Sequence, residues 1–281
     1  MSMTGLALPQ PWFDRAGRFS ALKTACFALV LAPAVWVLVQ ALDHDLGVRP
    51  VTEAIRQIGD WAIRFLVLTL AVTPLRRVAQ WPRLIIVRRM LGLAALAYVA
   101  IHLCLYIVDQ KLDLFKVASE IALRFYLLIG FAGFLGLCAL GWTSTDAAVK
   151  RMGAAAWTRL HKLVYPIAVL ALVHFALQSK RDVTEAMVLG GLFILLMLAR
   201  WLDARGKATP LAFLALALAS ALAAAAGESA WYGLSSGINP WAVLGANVDW
   251  DMAPRPSLWV LAGGLLLAGL RLARPAPQRG R

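Results

Sequence analysis

The chain has 281 residues, 61% of them hydrophobic, with a formal net charge of +13 and three cysteines. Its mean hydropathy of +0.71 lies far above that of soluble domains, where about half of the residues are apolar, which excludes an ordinary soluble enzyme or binding module. The basic excess calls for no nucleic-acid partner, because Lys and Arg gather on the cytoplasmic side of proteins held in membrane lipid.

In chain order, residues 1–18 hold Pro9, Pro11, Asp14 and Arg15 and no short apolar run with a cleavage site. They read as part of a cytoplasmic N-terminal segment, residues 1–21, and not as a signal peptide. Apolar stretches of near-spanning length then predict helices over 22–42, 61–79, 91–109, 121–141, 159–179, 184–200, 210–226 and 257–273. Polar or Pro/Gly-bearing connections separate them. The fold class is all-α integral membrane, with every Asp and Glu expected in loops or at helix ends. Cys26, Cys104 and Cys138 fall inside apolar runs without a Cys-x-x-Cys pair. They read as small buried residues, not as disulfides or iron–sulfur and zinc ligands, and covalent c-type haem attachment has no motif here.

The charges sort by side. Arg15, Arg18, Lys23, Arg76, Arg77, Arg83, Arg88 and Arg89 fall on one side. Lys150, Arg151, Arg159, Lys162, Arg200, Arg205, Lys207, Arg271, Arg274, Arg279 and Arg281 join them, with only Asp14, Asp146 and Asp203 as acids. This asymmetry predicts both termini in the cytoplasm, so that even-numbered spans run inward. The connection 227–256 then lies outside. Its Trp231, Tyr232, Trp241 and Trp250 read as an interfacial belt, or as a docking surface.

Of the four histidines, His44 sits in an outer loop and is expected to be solvated. His102 lies past the midpoint of the third span and His174 past the midpoint of the fifth, which runs the same way. The helical rise puts both in the outer half of the membrane at matched depth. Polar groups at such depth are costly and tend to be functional. Two neutral imidazoles can ligate one metal or haem iron from opposite faces without adding charge to an apolar bundle. His161, near the inner end of the fifth span, is turned about 140° from His174 on a regular helix, before any kink at Pro166. It reads either as an interfacial residue or as part of an inner site. Arg64 opens the second span and Arg124 the fourth, both at the outer level. They either snorkel to the interface or pair with haem propionates.

Four stretches carry a family resemblance: VTPLRRVAQWPRLIIVRRMLGL, RRMLGLAALAYVAIHL, LGWTSTDAAVKRMG and WTRLHKLVYPIAVLALVHF. They resemble the haem-binding membrane subunits of bacterial methionine sulfoxide reductase systems, the MsrQ (YedZ) family, within the wider ferric-reductase-like transmembrane group. The likeness runs over about residues 20–203. It implies a six-helix haem-binding domain over 22–203, with 204–281 a C-terminal extension holding two further transmembrane helices and the aromatic outer loop. It also implies that His102, His161 and His174 ligate b-type haem, that FMN is associated, and that the chain sits in the bacterial inner membrane. Electrons would come from the quinone pool or a flavin reductase and go to a periplasmic molybdopterin subunit that reduces methionine sulfoxide in oxidised proteins. The chain would thus be an electron-transfer subunit and not the catalytic one.

Members of the wider group that stack two haems use two histidines on each of two helices. Here the residue thirteen before His102 is Arg89, so an inner haem at His161 has no histidine partner in the third span. One haem is expected and a second is left open. Among alternatives, a self-contained ferric reductase or oxidase would need a nucleotide-binding domain, yet no G-x-G-x-x-G occurs and little polar sequence follows Arg200. A histidine-relay proton or ion transporter would call for mid-membrane carboxylates. An intramembrane zinc protease lacks its His-Glu-x-x-His.

Overall fold

Helices begin where the sequence supplies a cap. Ser20 accepts from the Lys23 N–H and Thr209 from the Ala212 N–H, the latter with Pro210 in the first helical turn, where its missing N–H costs nothing. In this computed structural model, which describes residues 11–13, 17–180, 182–249 and 253–274, the elements are α1 (Ala21–Leu42), α2 (Pro50–Val78), α3 (Arg88–Asp109), α4 (Leu114–Leu123), α5 (Phe125–Trp142) and α6 (Asp146–Met152). They continue with α7 (Ala154–His161), α8 (Val164–Ser179), α9 (Thr184–Ala204), α10 (Pro210–Ser236), α11 (Pro240–Ala246) and α12 (Pro256–Ala273). A 3₁₀ turn, Pro82–Val87, leads into α3. Among the described residues, eight helical stretches are long and apolar enough to cross a membrane, and Phe13–Phe19 is an isolated bridge outside any strand. The all-α, multi-pass membrane fold expected from the sequence is the fold observed. Asp14, Arg15, Trp250, Arg279 and Arg281, used in the charge and aromatic readings, lie outside the described residues.

The helices depart from the predicted spans at four places. α2 starts at Pro50 and not at 61, because its polar first turns are held by Arg56, which pairs with Glu53 and, at 3.2 Å, with Asp60. α10 runs on through the predicted connection to Ser236. These two extensions correct the placement of acids: Asp60 and Glu228 are buried within helices. The predicted 121–141 span is interrupted at Arg124, between α4 and α5. The fifth span opens at Ala154 and breaks at Lys162–Leu163. Pro166 explains the break, since it has no N–H for the Lys162 carbonyl and its ring crowds that carbonyl.

The chain divides into two compact units, each built from several separate stretches of sequence. One comprises residues up to Leu66, Ile86–Leu123 and Phe134–Leu163. Within it, α1 and α3 are joined by the Tyr98 hydroxyl, which accepts from the Ala34 N–H at 3.0 Å and donates to the Val30 carbonyl at 2.7 Å. That hydroxyl is inserted into the helical ladder of α1 beside Pro33, a local cause of bending. The Tyr98 ring meets Phe65 edge-on at 5.0 Å. Arg89 at the start of α3 pairs with Asp146 at the start of α6 at 2.7 Å.

The other unit comprises Val67–Ile85, Arg124–Gly133 and the chain from Val164 onward. Its core gathers Val78, Leu195, Ala199, Phe213, Leu267 and Ala268. Small residues let α9, α10 and α12 approach closely: a Cβ on Gly191 would lie 2.6 Å from Val260, and one on Gly264 would lie 2.3 Å from Ala217. Close backbone approach of this kind is how helices associate where lipid removes the hydrophobic drive. Arg77 pairs with Asp203, and Arg271 Nε donates to the Ala208 carbonyl at 2.8 Å. Inside α10, Glu228 accepts from Asn247 Nδ2 at 2.7 Å and from Arg255 Nη1 at 3.3 Å.

Candidate functional site

His102 projects from α3 in the first unit. Its Nδ1 lies 2.9 Å from the Ile55 carbonyl oxygen of α2. A carbonyl can only accept, so Nδ1 carries the proton; in the neutral ring the lone pair is then on Nε2, the tautomer in which imidazole offers Nε2 to a metal. The ring rests where α2 has Gly59: a Cβ there would lie 2.9 Å from Nδ1 and 3.1 Å from Cε1.

His174, in the second unit, repeats the arrangement. Its Nδ1 lies 2.7 Å from the Tyr126 carbonyl of α5, and a Cβ on Gly130 would lie 2.7 Å from Nδ1 and 2.8 Å from Cε1. Each of these half-buried histidines thus leans on the span before it in the chain and is held in the same tautomer. Arg124 joins this group, donating from Nη1 to the Tyr126 hydroxyl at 3.1 Å. Tyr126 therefore serves His174 through its backbone and Arg124 through its side chain. Arg64 lies over the Trp61 ring, 4.7 Å from the centroid, on the helix that also supplies Ile55 and Gly59.

His161 is held through its other ring nitrogen. Its Nε2 lies 3.1 Å from the Thr143 hydroxyl, which also lies 2.8 Å from the Ala139 carbonyl and 3.2 Å from the Leu140 carbonyl, and a hydroxyl can either donate to or accept from an imidazole nitrogen. The imidazole is stacked on Trp157 at 3.9 Å with 24° between planes, and Trp157 Nε1 donates to the Thr143 carbonyl at 2.9 Å. His44 is exposed in the α1–α2 loop, as expected.

The residues that sequence reasoning missed are Ile55, Gly59, Tyr126 and Gly130 around the two deep histidines, and Thr143 and Trp157 around His161. Two of these act through backbone oxygens, which leave no mark in a sequence. The available signal was the spacing: Gly59 follows Ile55, and Gly130 follows Tyr126, by one helical hydrogen bond.

Apolar helices long enough to span a membrane, two of which seat a histidine against a neighbouring helix carbonyl, define a multi-pass membrane protein with half-buried histidine settings, and the comparisons agree with that class. Residues 58–172 match the family model described as ferric reductase like transmembrane component. The chain is 40% identical over 186 residues to the protein-methionine-sulfoxide reductase heme-binding subunit MsrQ of Caulobacter vibrioides, covering 66% of this chain and 87% of that protein. The protein of the same name from Rhodospirillum rubrum is 38% identical over 68% of this chain and 90% of its own. That from Polaromonas naphthalenivorans is 42% identical over 63% and 82%. The chain belongs to the MsrQ family. No solved structure matches it.

Proposed function

We propose that this chain is the b-type haem subunit of a methionine sulfoxide reductase system, and that it relays electrons outward across the bacterial inner membrane with both termini in the cytoplasm. The acceptor is a periplasmic molybdopterin subunit that reduces methionine sulfoxide in oxidised proteins. The donor is the quinone pool or a flavin reductase, and FMN is a second cofactor, drawn from the family resemblance. The names of the relatives support haem binding and a reductase partner.

The observation that carries the reading is the shared setting of His102 and His174, each with Nδ1 at a backbone carbonyl and the ring seated on a glycine. Such donors fit a haem iron: neutral nitrogen ligands, orientation fixed from behind, and ligand basicity raised by the Nδ1–H bond. Bound there, haem supplies a one-electron ferric/ferrous couple whose potential the protein sets. His102 and His174 hold the iron, and Arg64 and Arg124 hold the propionates. His161 is a ligand of this site only if it gives up its bond to Thr143, so one haem is assigned. Residues 22–203 form the haem-binding domain and 204–281 an accessory extension, in keeping with relatives that match 63–68% of the chain.

The buried acids Asp60 and Glu228 do not revive a transporter, since Arg56 answers the first and Arg255 with Asn247 the second. The test is reoxidation. The reduced chain in membrane vesicles should lose its reduced absorption bands on addition of methionine sulfoxide only when the molybdenum subunit is present. Reoxidation that ignores that subunit would defeat the proposal.

A further inference from the structure

In an α-helix the carbonyl of residue i accepts from the N–H of residue i+4 and keeps a second lone pair. Access to that lone pair is normally obstructed. Every Cα–Cβ bond tilts toward the helix N-terminus, so the Cβ of residue i+4 stands beside the oxygen of residue i. Glycine at i+4 removes the obstruction. In this chain the two carbonyls that hold deep histidines, those of Ile55 and Tyr126, are each followed at i+4 by glycine, Gly59 and Gly130. In both cases the imidazole occupies the space the Cβ would fill, at 2.9 and 2.7 Å from Nδ1. His161, by contrast, is bonded through Nε2 to a threonine hydroxyl and not to a helix carbonyl.

We propose that Gly59 and Gly130 are positioning residues: each forms a notch that admits an imidazole to a helix carbonyl, fixing His102 and His174 as Nδ1–H tautomers with Nε2 directed to the iron. The inference rests on the haem reading above for its purpose, though not for its geometry. An alanine at either position puts a methyl group against Nδ1, so the ring must withdraw and its bond to the carbonyl lengthens or breaks. Loss of that bond weakens the ligand nitrogen as a donor, which favours ferrous over ferric iron.

The test uses the full chain purified with its haem. Gly59→Ala and Gly130→Ala are compared with Gly141→Ala and Gly263→Ala, whose new Cβ atoms would instead meet leucine methyl groups at 2.3 and 2.9 Å. The two notch variants should bind haem ~10- to 100-fold more weakly, the range for losing an outer-shell partner of a metal ligand. Any haem retained should have a more positive midpoint potential and altered low-spin EPR g values. The two leucine-facing variants, if folded, should keep the wild-type potential and g values. A folded Gly59→Ala or Gly130→Ala chain with unchanged haem affinity, potential and g values would overturn the proposal.

Histidine-selective ¹⁵N NMR of the wild-type chain in bilayers decides the matter if the variants do not fold. His102 and His174 should appear as Nδ1–H tautomers, and an Nε2–H tautomer at either deep histidine refutes the notch. A wild type that binds no haem yet shows those tautomers would overturn the haem assignment and keep the notch geometry.

Discussion

Glu228→Ala removes a carboxylate that no solvent reaches, at 0% exposure inside α10. Its two oxygens accept from Asn247 at 2.7 Å and from Arg255 at 3.3 Å. Deleting one partner of a buried ion pair costs ~3–5 kcal/mol, because the other charge is left without compensation. Arg255 keeps 27% of its side chain exposed and can turn toward water, which places the cost near the lower end, ~3 kcal/mol. Asn247 keeps one of its bonds, to the Val243 carbonyl at 3.1 Å. Glu228→Gln retains the shape and an acceptor for Asn247 and loses only the charge assistance, so it should cost ~1–2 kcal/mol. Against a total stability of ~5–15 kcal/mol, the alanine variant should unfold clearly earlier in reversible unfolding in mixed micelles. Adding Arg255→Ala to Glu228→Ala should recover part of the loss, the signature of a coupled pair. An alanine variant within ~0.5 kcal/mol of wild type, the size of an ordinary surface change, would refute the reasoning. So would a glutamine variant as damaging as alanine.

Tyr98→Phe keeps the ring on Phe65 but withdraws the hydroxyl from α1. The Ala34 N–H and Val30 carbonyl can then pair with each other, so thermal unfolding should show a loss of only ~1 kcal/mol, and a far larger loss would contradict that repair. Thr143→Val removes the hydroxyl partner of His161 Nε2 and should leave haem content unchanged, read from the pyridine haemochrome; loss of haem would give His161 a ligand-supporting role. A chain ending after Lys207 strips Phe213, Leu267 and Ala268 from the core they share with Val78, Leu195 and Ala199. It should accumulate less well yet retain haem, because no histidine follows His174; a folded truncation without haem would count against the assignment.

Hydropathy made the spans legible because length and apolar content are what lipid selects. It failed where a polar residue inside a helix is answered from elsewhere. Asp60 is satisfied one turn away by Arg56, and Glu228 by Arg255, far along the chain, so both stretches read locally as connections. The break before Val164 was foreshadowed by Pro166, which acts four residues upstream of itself. For the site, His102 and His174 stood out as rare polar groups in apolar helices. Their supports did not, since the Ile55 and Tyr126 carbonyls carry no side-chain signature, and α5 holds Gly130, Gly133, Gly136 and Gly141 without marking which one seats a ring. The bond between His161 Nε2 and the Thr143 hydroxyl is visible only once the helices are placed.

The central claim is that His102 and His174 ligate one b-type haem. Haem stoichiometry and the reduced-minus-oxidised spectrum of the purified chain, beside His102→Ala, His174→Ala and His161→Ala, test it most directly. The account predicts one six-coordinate b-type haem per chain, lost in the first two variants and kept in the third. Full haem content in either His102→Ala or His174→Ala would contradict it.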